Sequence, residues 1–255
     1  MTNKEILQTA MRQSAVDLNC VADDFLQYTP KIVFSAPHPE ARKYLTLPFS
    51  CNLVSYGNNV VASVNEQTAD IARAYLEKYP AEHCFETPNL HVLNDALQAI
   101  NYRICYMAEY FLPDIDRLRP LPCDFSIKLL TQADFIELYT PQWNNALCER
   151  RKNLDVLAAA AYDGKTLIGM AGCSADCETM WQIGVDVLPQ FRQLGIASAL
   201  TSRLAVEILD RDKVPFCCAA WSNIKSVRNA IRSRFLPTWV EMTAKDADFV
   251  KDANR

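Results

Sequence analysis

The run from Val185 to Leu200, VDVLPQFRQLGIASAL, constrains the fold more than any other part of the chain. Valines alternate with polar residues as in a strand, a proline ends the run, and Gly195 stands at the joint to a new periodicity. From there Ile196, Leu200, Leu204 and Ile208 recur at every fourth position, which is one face of a helix packed on a sheet. A strand that turns directly into a helix leaves about four backbone amides without intrahelical partners, and the helix dipole adds partial positive charge at the same place. Such a terminus suits a phosphate. Gly195 permits close approach, Ala197 adds little bulk, and Arg192 offers charge-assisted hydrogen bonds.

The sequence around this joint predicts an α/β chain. Of six glycines only Gly57 precedes residue 160, so tight turns concentrate late. Between the halves runs LPDIDRLRPLP, Leu112 to Pro122, whose prolines neither continue a helix nor sit inside a sheet. The expected domains are therefore 1–122, a smaller mixed α/β unit ending in this linker, and 123–255. In the first, Lys4 to Leu18 reads as a helix, Asn52 to Val64 as two strands around Gly57-Asn58, Thr68 to Tyr79 as a helix stopped by Pro80, Leu90 to Ile100 as a helix, and Tyr102 to Phe111 as a strand. In the second, Phe125 to Leu130 reads as a strand. Thr131 with Asp134 opens a helix, Asn144 to Lys152 is a second, and two apolar strands flank the turn at Asp163-Gly164. A strand over Thr179 to Val187, the buried run Val214 to Trp221, and a helix from Ser222 to Phe235 with Ile224, Val227 and Ile231 inward complete it.

With 255 residues, half of them apolar, the chain has material for two cores. A formal charge of -4 gives no excess positive field for nucleic acid or an acidic membrane. No run approaches the ~20 apolar residues of a membrane span, and MTNKEILQTAMRQSA lacks the regions of an export signal, so a cytoplasmic protein is expected. Ten cysteines and three histidines show no zinc spacing, so no metal is expected, and in a reducing compartment the cysteines read as thiols.

The order of elements, with VDVLPQFRQLGIASAL, then N-I-K-S (Asn223 to Ser226) and Phe235, resembles the GNAT superfamily of acyl-CoA-dependent N-acyltransferases over about Cys123 to Lys245. The resemblance implies a central mixed, splayed β-sheet flanked by helices. It implies acetyl-CoA as co-substrate, with the amides of Gln193, Leu194, Gly195, Ile196, Ala197 and Ser198 around its pyrophosphate and Arg192 nearby. Val185 and Val187 would bond the pantetheine arm as an added strand would, and Asn223 and Ser226 would touch it from the other side. The implied activity is acetyl transfer to a primary amine of a small or amino-acid-like acceptor, by direct attack in a ternary complex.

Two positions depart from the family pattern. Ala230 stands where many members carry a tyrosine that protonates the leaving thiolate, and Arg234 precedes Phe235 where they carry glycine. For the base, Glu178 and Asp176 in CSADCET are the candidates, with Glu149 behind them; each reads equally as a solvated carboxylate. Trp143 and Trp181 are candidates for an acceptor-pocket wall, or for core. The alternative function is a non-catalytic acyl-CoA-binding or sensing module. A dinucleotide-binding domain is disfavoured because no G-x-G-x-x-G occurs. Acetyl-CoA and a small amine are the expected partners, with homodimerisation left open.

Overall fold

The structure, a computed structural model, describes residues 1–254. Its elements run α1 (Asn3–Leu18), β1 (Lys31–Phe34), β2 (Cys51–Ser55), β3 (Val61–Val64), α2 (Ala69–Lys78), α3 (Thr87–Gln98), β4 (Tyr102–Pro113), β5 (Ser126–Thr131), β6 (Asp155–Asp163), β7 (Thr166–Ser174), β8 (Met180–Val187), α4 (Ile196–Leu209), β9 (Val214–Ala219), α5 (Ile224–Arg232), β10 (Phe235–Asp246) and α6 (Ala247–Ala253). Among the described residues no helix is long and apolar enough to cross a membrane.

Two compact units form, and they are interleaved in sequence. One joins Met1–Ala10 to Phe111–Pro237; the other joins Met11–Tyr110 to the segment from Thr238 onward. A boundary near Cys123 would instead place one unit after the other. The proline-rich segment does not behave as a linker: β4 runs through Leu112 to Pro113, and Leu118 is buried in the core of the first unit. Asn3 ties the same segment to α1, accepting from the Ile115 amide at 2.9 Å and donating to Asp114 at 3.0 Å. Burial of Leu112 and Leu118 draws the segment between them, with Pro113, down onto that unit.

In the unit holding residues 111–237, β5, β6, β7 and β8 pair antiparallel in turn, and β9 joins β8 in parallel. The β6–β7 hairpin turns at Gly164, whose φ of +59° suits a two-residue connection. Ile196, Leu200, Leu204 and Ile208 of α4 are all buried against this sheet, as their spacing predicts. The other unit has β1 parallel to β3, with β2 antiparallel to both β3 and β10. Its core includes residues of α2 and α3 such as Ala72, Leu76, Leu93 and Leu97.

Three sequence expectations differ from the structure. Asn144 to Lys152 forms no α-helix; the segment has only short 3-10 turns, Pro141–Trp143 and Glu149–Leu154. The reason lies in its amides: those of Asn145 and Ala146 go to the Asp186 carboxylate at 2.8 and 3.0 Å. Thr131 and Asp134 do form a capping box, but on a single 3-10 turn. Helix α5 starts at Ile224 rather than Ser222, is capped by Asn223, and its inward face is Val227 and Ala230. Ile224 and Ile231 are half exposed, because Asn229 binds Thr201 of α4 at 3.0 Å and small Ala230 lets the helix approach there.

Candidate functional site

Strands β8 and β9 are paired only at Met180–Val214, Trp181–Pro215 and Gln182–Phe216. Past Gln182, β8 continues to Val187, held on its other edge by β7 through Gly169–Val187. β9 continues independently to Ala219. The sheet is therefore parted between the later halves of two parallel strands, and the β8 edge from Ile183 to Val187 has no β9 partner. Val185 and Val187, both half-buried, turn their side chains into the core beneath α4, leaving their main chain at this edge. The Val187 carbonyl accepts from Arg192 Nε at 3.0 Å, so the Arg192 side chain folds back on β8 instead of extending away.

Glycines hold the two faces of this sheet at close quarters. A Cβ on Gly169 would meet Ile196 and Leu200 of α4 at 3.0 and 3.2 Å. On the opposite face, a Cβ on Gly172 would lie 2.1 Å from the Ala146 carbonyl oxygen, and one on Gly184 would lie 1.7 Å from that of Asn145. Asp186 accepts three hydrogen bonds there: the Asn145 and Ala146 amides and Asn145 Nδ2. Segment 144–147 is thus fastened over β7 and β8 on the face away from α4.

After Val187 the chain makes a 3-10 turn, Pro189–Phe191, and enters α4 through two residues of positive φ, Gln193 at 68° and Gly195 at 81°. Gly195 is the N-cap, with no side-chain cap. Among the described residues, no acceptor stands against the amides of Gln193, Leu194, Gly195, Ile196, Ala197 and Ser198; the next amide, Ala199, bonds the Gly195 carbonyl at 3.0 Å. Ser198 turns its hydroxyl inward to the same carbonyl at 3.0 Å. Left-handed residues set among right-handed ones turn successive N–H groups toward one point, an anion-binding concavity reinforced by the helix dipole. The sequence marks Gly195 for an unusual backbone angle and places the Gln193 amide in the loop, but gives no sign that Gln193 is left-handed too.

Asn223 follows the end of β9. Its side-chain oxygen accepts the Ser226 amide at 3.2 Å, which commits that oxygen to capping α5. Ala230 is buried, so no phenol stands at that position.

The three carboxylates are not gathered at the helix start. Glu178 lies two residues before β8, whose own length from Met180 to Val187 is roughly 23 Å at about 3.3 Å per residue. It pairs with Lys213 at 2.5 Å, and that hydrogen bond and charge hold its carboxyl below the usual range. Asp176 is fully buried against Arg151, with its Oδ2 lacking a partner. Glu149 is exposed, 3.4 Å from Lys152, and lines a cavity of about 360 Å³ together with Tyr139, Thr140, Asn144 and Arg150. Beside that cavity Tyr139 donates to the buried Asp155 at 3.1 Å; burial, and then the Asp155 charge, push its phenol up. Of the tryptophans, Trp143 is buried with Phe135 and Met170, and Trp181 packs on the core beneath α4. All ten cysteines are free, and burial pushes the Cys173 and Cys217 thiols up, away from thiolate chemistry. Among the described residues no cluster of three or more His, Cys, Asp or Glu could hold a metal ion.

A parted parallel strand pair beside an uncapped helix start defines a domain that can receive an elongated anionic ligand along a strand edge. Residues 124–230 match the acetyltransferase (GNAT) family, and this segment is a domain of that family. Among solved structures, a GCN5-related N-acetyltransferase from Kribbella flavida is 12% identical, covering 93% of this chain and 95% of that one at a TM-score of 0.50. A GCN5-related N-acetyltransferase-like protein from Streptococcus suis 89/1591 is 17% identical over 62% of this chain and 69% of that one, at a TM-score of 0.46. No curated protein matches the chain.

Proposed function

We propose that the protein transfers an acetyl group from acetyl-CoA to a primary amine of a small or amino-acid-like molecule. The observation that carries this reading is the row of six unengaged amides, Gln193 to Ser198, at the mouth of the parted strands. Their positive field suits the pyrophosphate of coenzyme A, and the β8 edge from Ile183 to Val187 suits the two amide groups of its pantetheine arm. Acetyl-CoA brings an activated thioester; the acceptor nitrogen bonds to the carbonyl carbon, the carbon–sulfur bond breaks, and the nitrogen's proton balances the departing thiolate. The chain's own residues orient that thioester and exclude water. Backbone donors aimed at developing charge are worth about 3 kcal/mol each, so catalysis here does not require a dedicated side chain.

Calorimetry with acetyl-CoA tests the premise, and absence of binding at about millimolar ligand removes it. A second reading, an acyl-CoA-binding module without turnover, is supported by buried Ala230 and by Glu178 and Asp176 each standing against a cation. Thiol release across an amine panel separates the two, since a binding module releases none.

A further inference from the structure

Gln182 is the last β8 residue paired with β9, opposite Phe216. Its side-chain Nε2 donates to the sulfur of Cys218, two residues further along β9, at 3.3 Å. The bond crosses the gap where the strands begin to separate. By the two-residue alternation of a strand, Gln182 shares its face with Gly184 and Asp186, the face covered by segment 144–147. The fork is therefore closed, on the side away from α4, by two polar side chains bound to each other.

The reach of the ligand brings its reactive end to this bond; this step rests on the acetyl-CoA reading. From Val187 back to Gln182, β8 spans about 17 Å at about 3.3 Å per residue. The arm from the inner phosphorus of coenzyme A to its sulfur has roughly thirteen bonds, and at the rise per bond of an extended peptide it spans about 16 Å. Ile196 at the α4 start and Val187 both lie against Gly169, 3.0 and 3.2 Å from a Cβ built there, so a thioester with its phosphates at the α4 start ends beside Gln182 and Cys218.

We propose that Gln182 and Cys218 are specificity-determining residues that limit the acyl group to acetyl. A longer chain entering the fork must break their hydrogen bond and leave the Gln182 amide facing methylene groups, which costs the desolvation of an unpartnered donor. A shaped pocket discriminates by about tenfold or more for each methylene it fails to accommodate.

The test measures the dissociation constants of acetyl-CoA and butyryl-CoA for the wild type and for Gln182→Ala, Cys218→Ala and Cys218→Ser. The wild type is expected to favour acetyl-CoA by about tenfold or more, and the two alanine variants to bring the ratio close to one. Cys218→Ser keeps an acceptor for Gln182 and is expected to keep the wild-type ratio. General loosening of the fold weakens both ligands alike and leaves the ratio unmoved. Equal binding of the two ligands by the wild type, or an unchanged ratio in both alanine variants, overturns the assignment while the acetyl-CoA reading stands. Failure of the wild type to bind either ligand overturns both.

Discussion

Gly184 of β8 lies so close beneath Asn145 that a single added methyl would stand 1.7 Å from the Asn145 carbonyl oxygen. The obstacle is main chain, not the end of a flexible side chain, so segment 144–147 itself must move. Gly184→Ala is expected to destabilise the protein by about 1–3 kcal/mol, the usual cost of forcing extra volume into a packed site. Urea unfolding gives the magnitude, and hydrogen exchange gives the place: the Asn145 and Ala146 amides, now held by Asp186, should lose protection. A variant as stable as the wild type, with both amides still protected, would contradict the packing described.

Gly195 presents the opposite case. Its φ of +81° is left-handed, yet no atom lies within 4 Å of a Cβ built on it. Gly195→Ala therefore has room and pays only in backbone preference, roughly 1–2 kcal/mol for an L-residue in that region. The relief available is rotation of the loop, which turns its amides away from their common focus. Acetyl-CoA affinity is expected to fall about five- to thirtyfold, by the same 1–2 kcal/mol. Gly164→Ala, also left-handed and also open, tests the hairpin turn of β6 and β7 instead. It should lower the melting temperature without changing affinity, and equal effects of the two on affinity would detach Gly195 from the ligand.

What could be read in the sequence follows from periodicity and punctuation. The α4 face, the Asp163-Gly164 hairpin and the stop of α2 before Pro80 are local signals, and each appears where its residues place it. The joint at Gly195 belongs with them, being a glycine between two unlike periods. Segment 144–152 was not legible, because its amides are claimed by Asp186, some forty positions later, and no local pattern announces that. The same holds for the interleaving of the units, where β10 pairs with β2 through contacts such as Thr243–Asn52. Helix α5 misled for a subtler reason: its apolar residues follow a helical spacing, but a polar contact at Asn229 and a small side chain at Ala230 decide which face turns inward. The left-handed Gln193 and the Gln182–Cys218 contact lack any sequence signature.

Arg42 is buried between Asp17 and Glu241, with Tyr44 Oη accepting from it at 2.7 Å. Burial pulls its guanidinium down, the carboxylates of Asp17 and then Glu241 push it up, and their attraction prevails, so the cation persists throughout the working pH range. Arg42→Met leaves two carboxylates in the interior without their cation, a change that costs about 3–5 kcal/mol. Glu241→Gln, which keeps a hydrogen-bonding carbonyl, should cost less. Trp239 reports the event, because its Nε1 donates to Glu241 at 2.8 Å and its ring stacks on Tyr110 and Tyr56. A shift of tryptophan emission in Arg42→Met at low denaturant, together with an earlier unfolding midpoint, is the expected result; unchanged stability would mean the buried cation is dispensable.

Cys51 lies in β2 with no exposed surface, and burial pushes its thiol up from an ordinary value of 9.0 to about 12. The sign follows from which state holds its proton longer. In the folded chain the thiol stays neutral over a range where the unfolded chain releases its proton, so the stabilisation is complete below about pH 9 and is lost as pH climbs toward 12. Each such thiol steepens the loss by about 1.4 kcal/mol per pH unit across that window. Other groups titrate there too, including Cys84, pushed up to about 11 by burial, so the informative quantity is a difference between proteins. Cys51→Ala creates a small cavity and should be less stable than the wild type at pH 7.5, yet lose about 2 kcal/mol less on going to pH 10.5. Parallel stability curves for the two proteins would show that the Cys51 thiol does not control this alkaline loss.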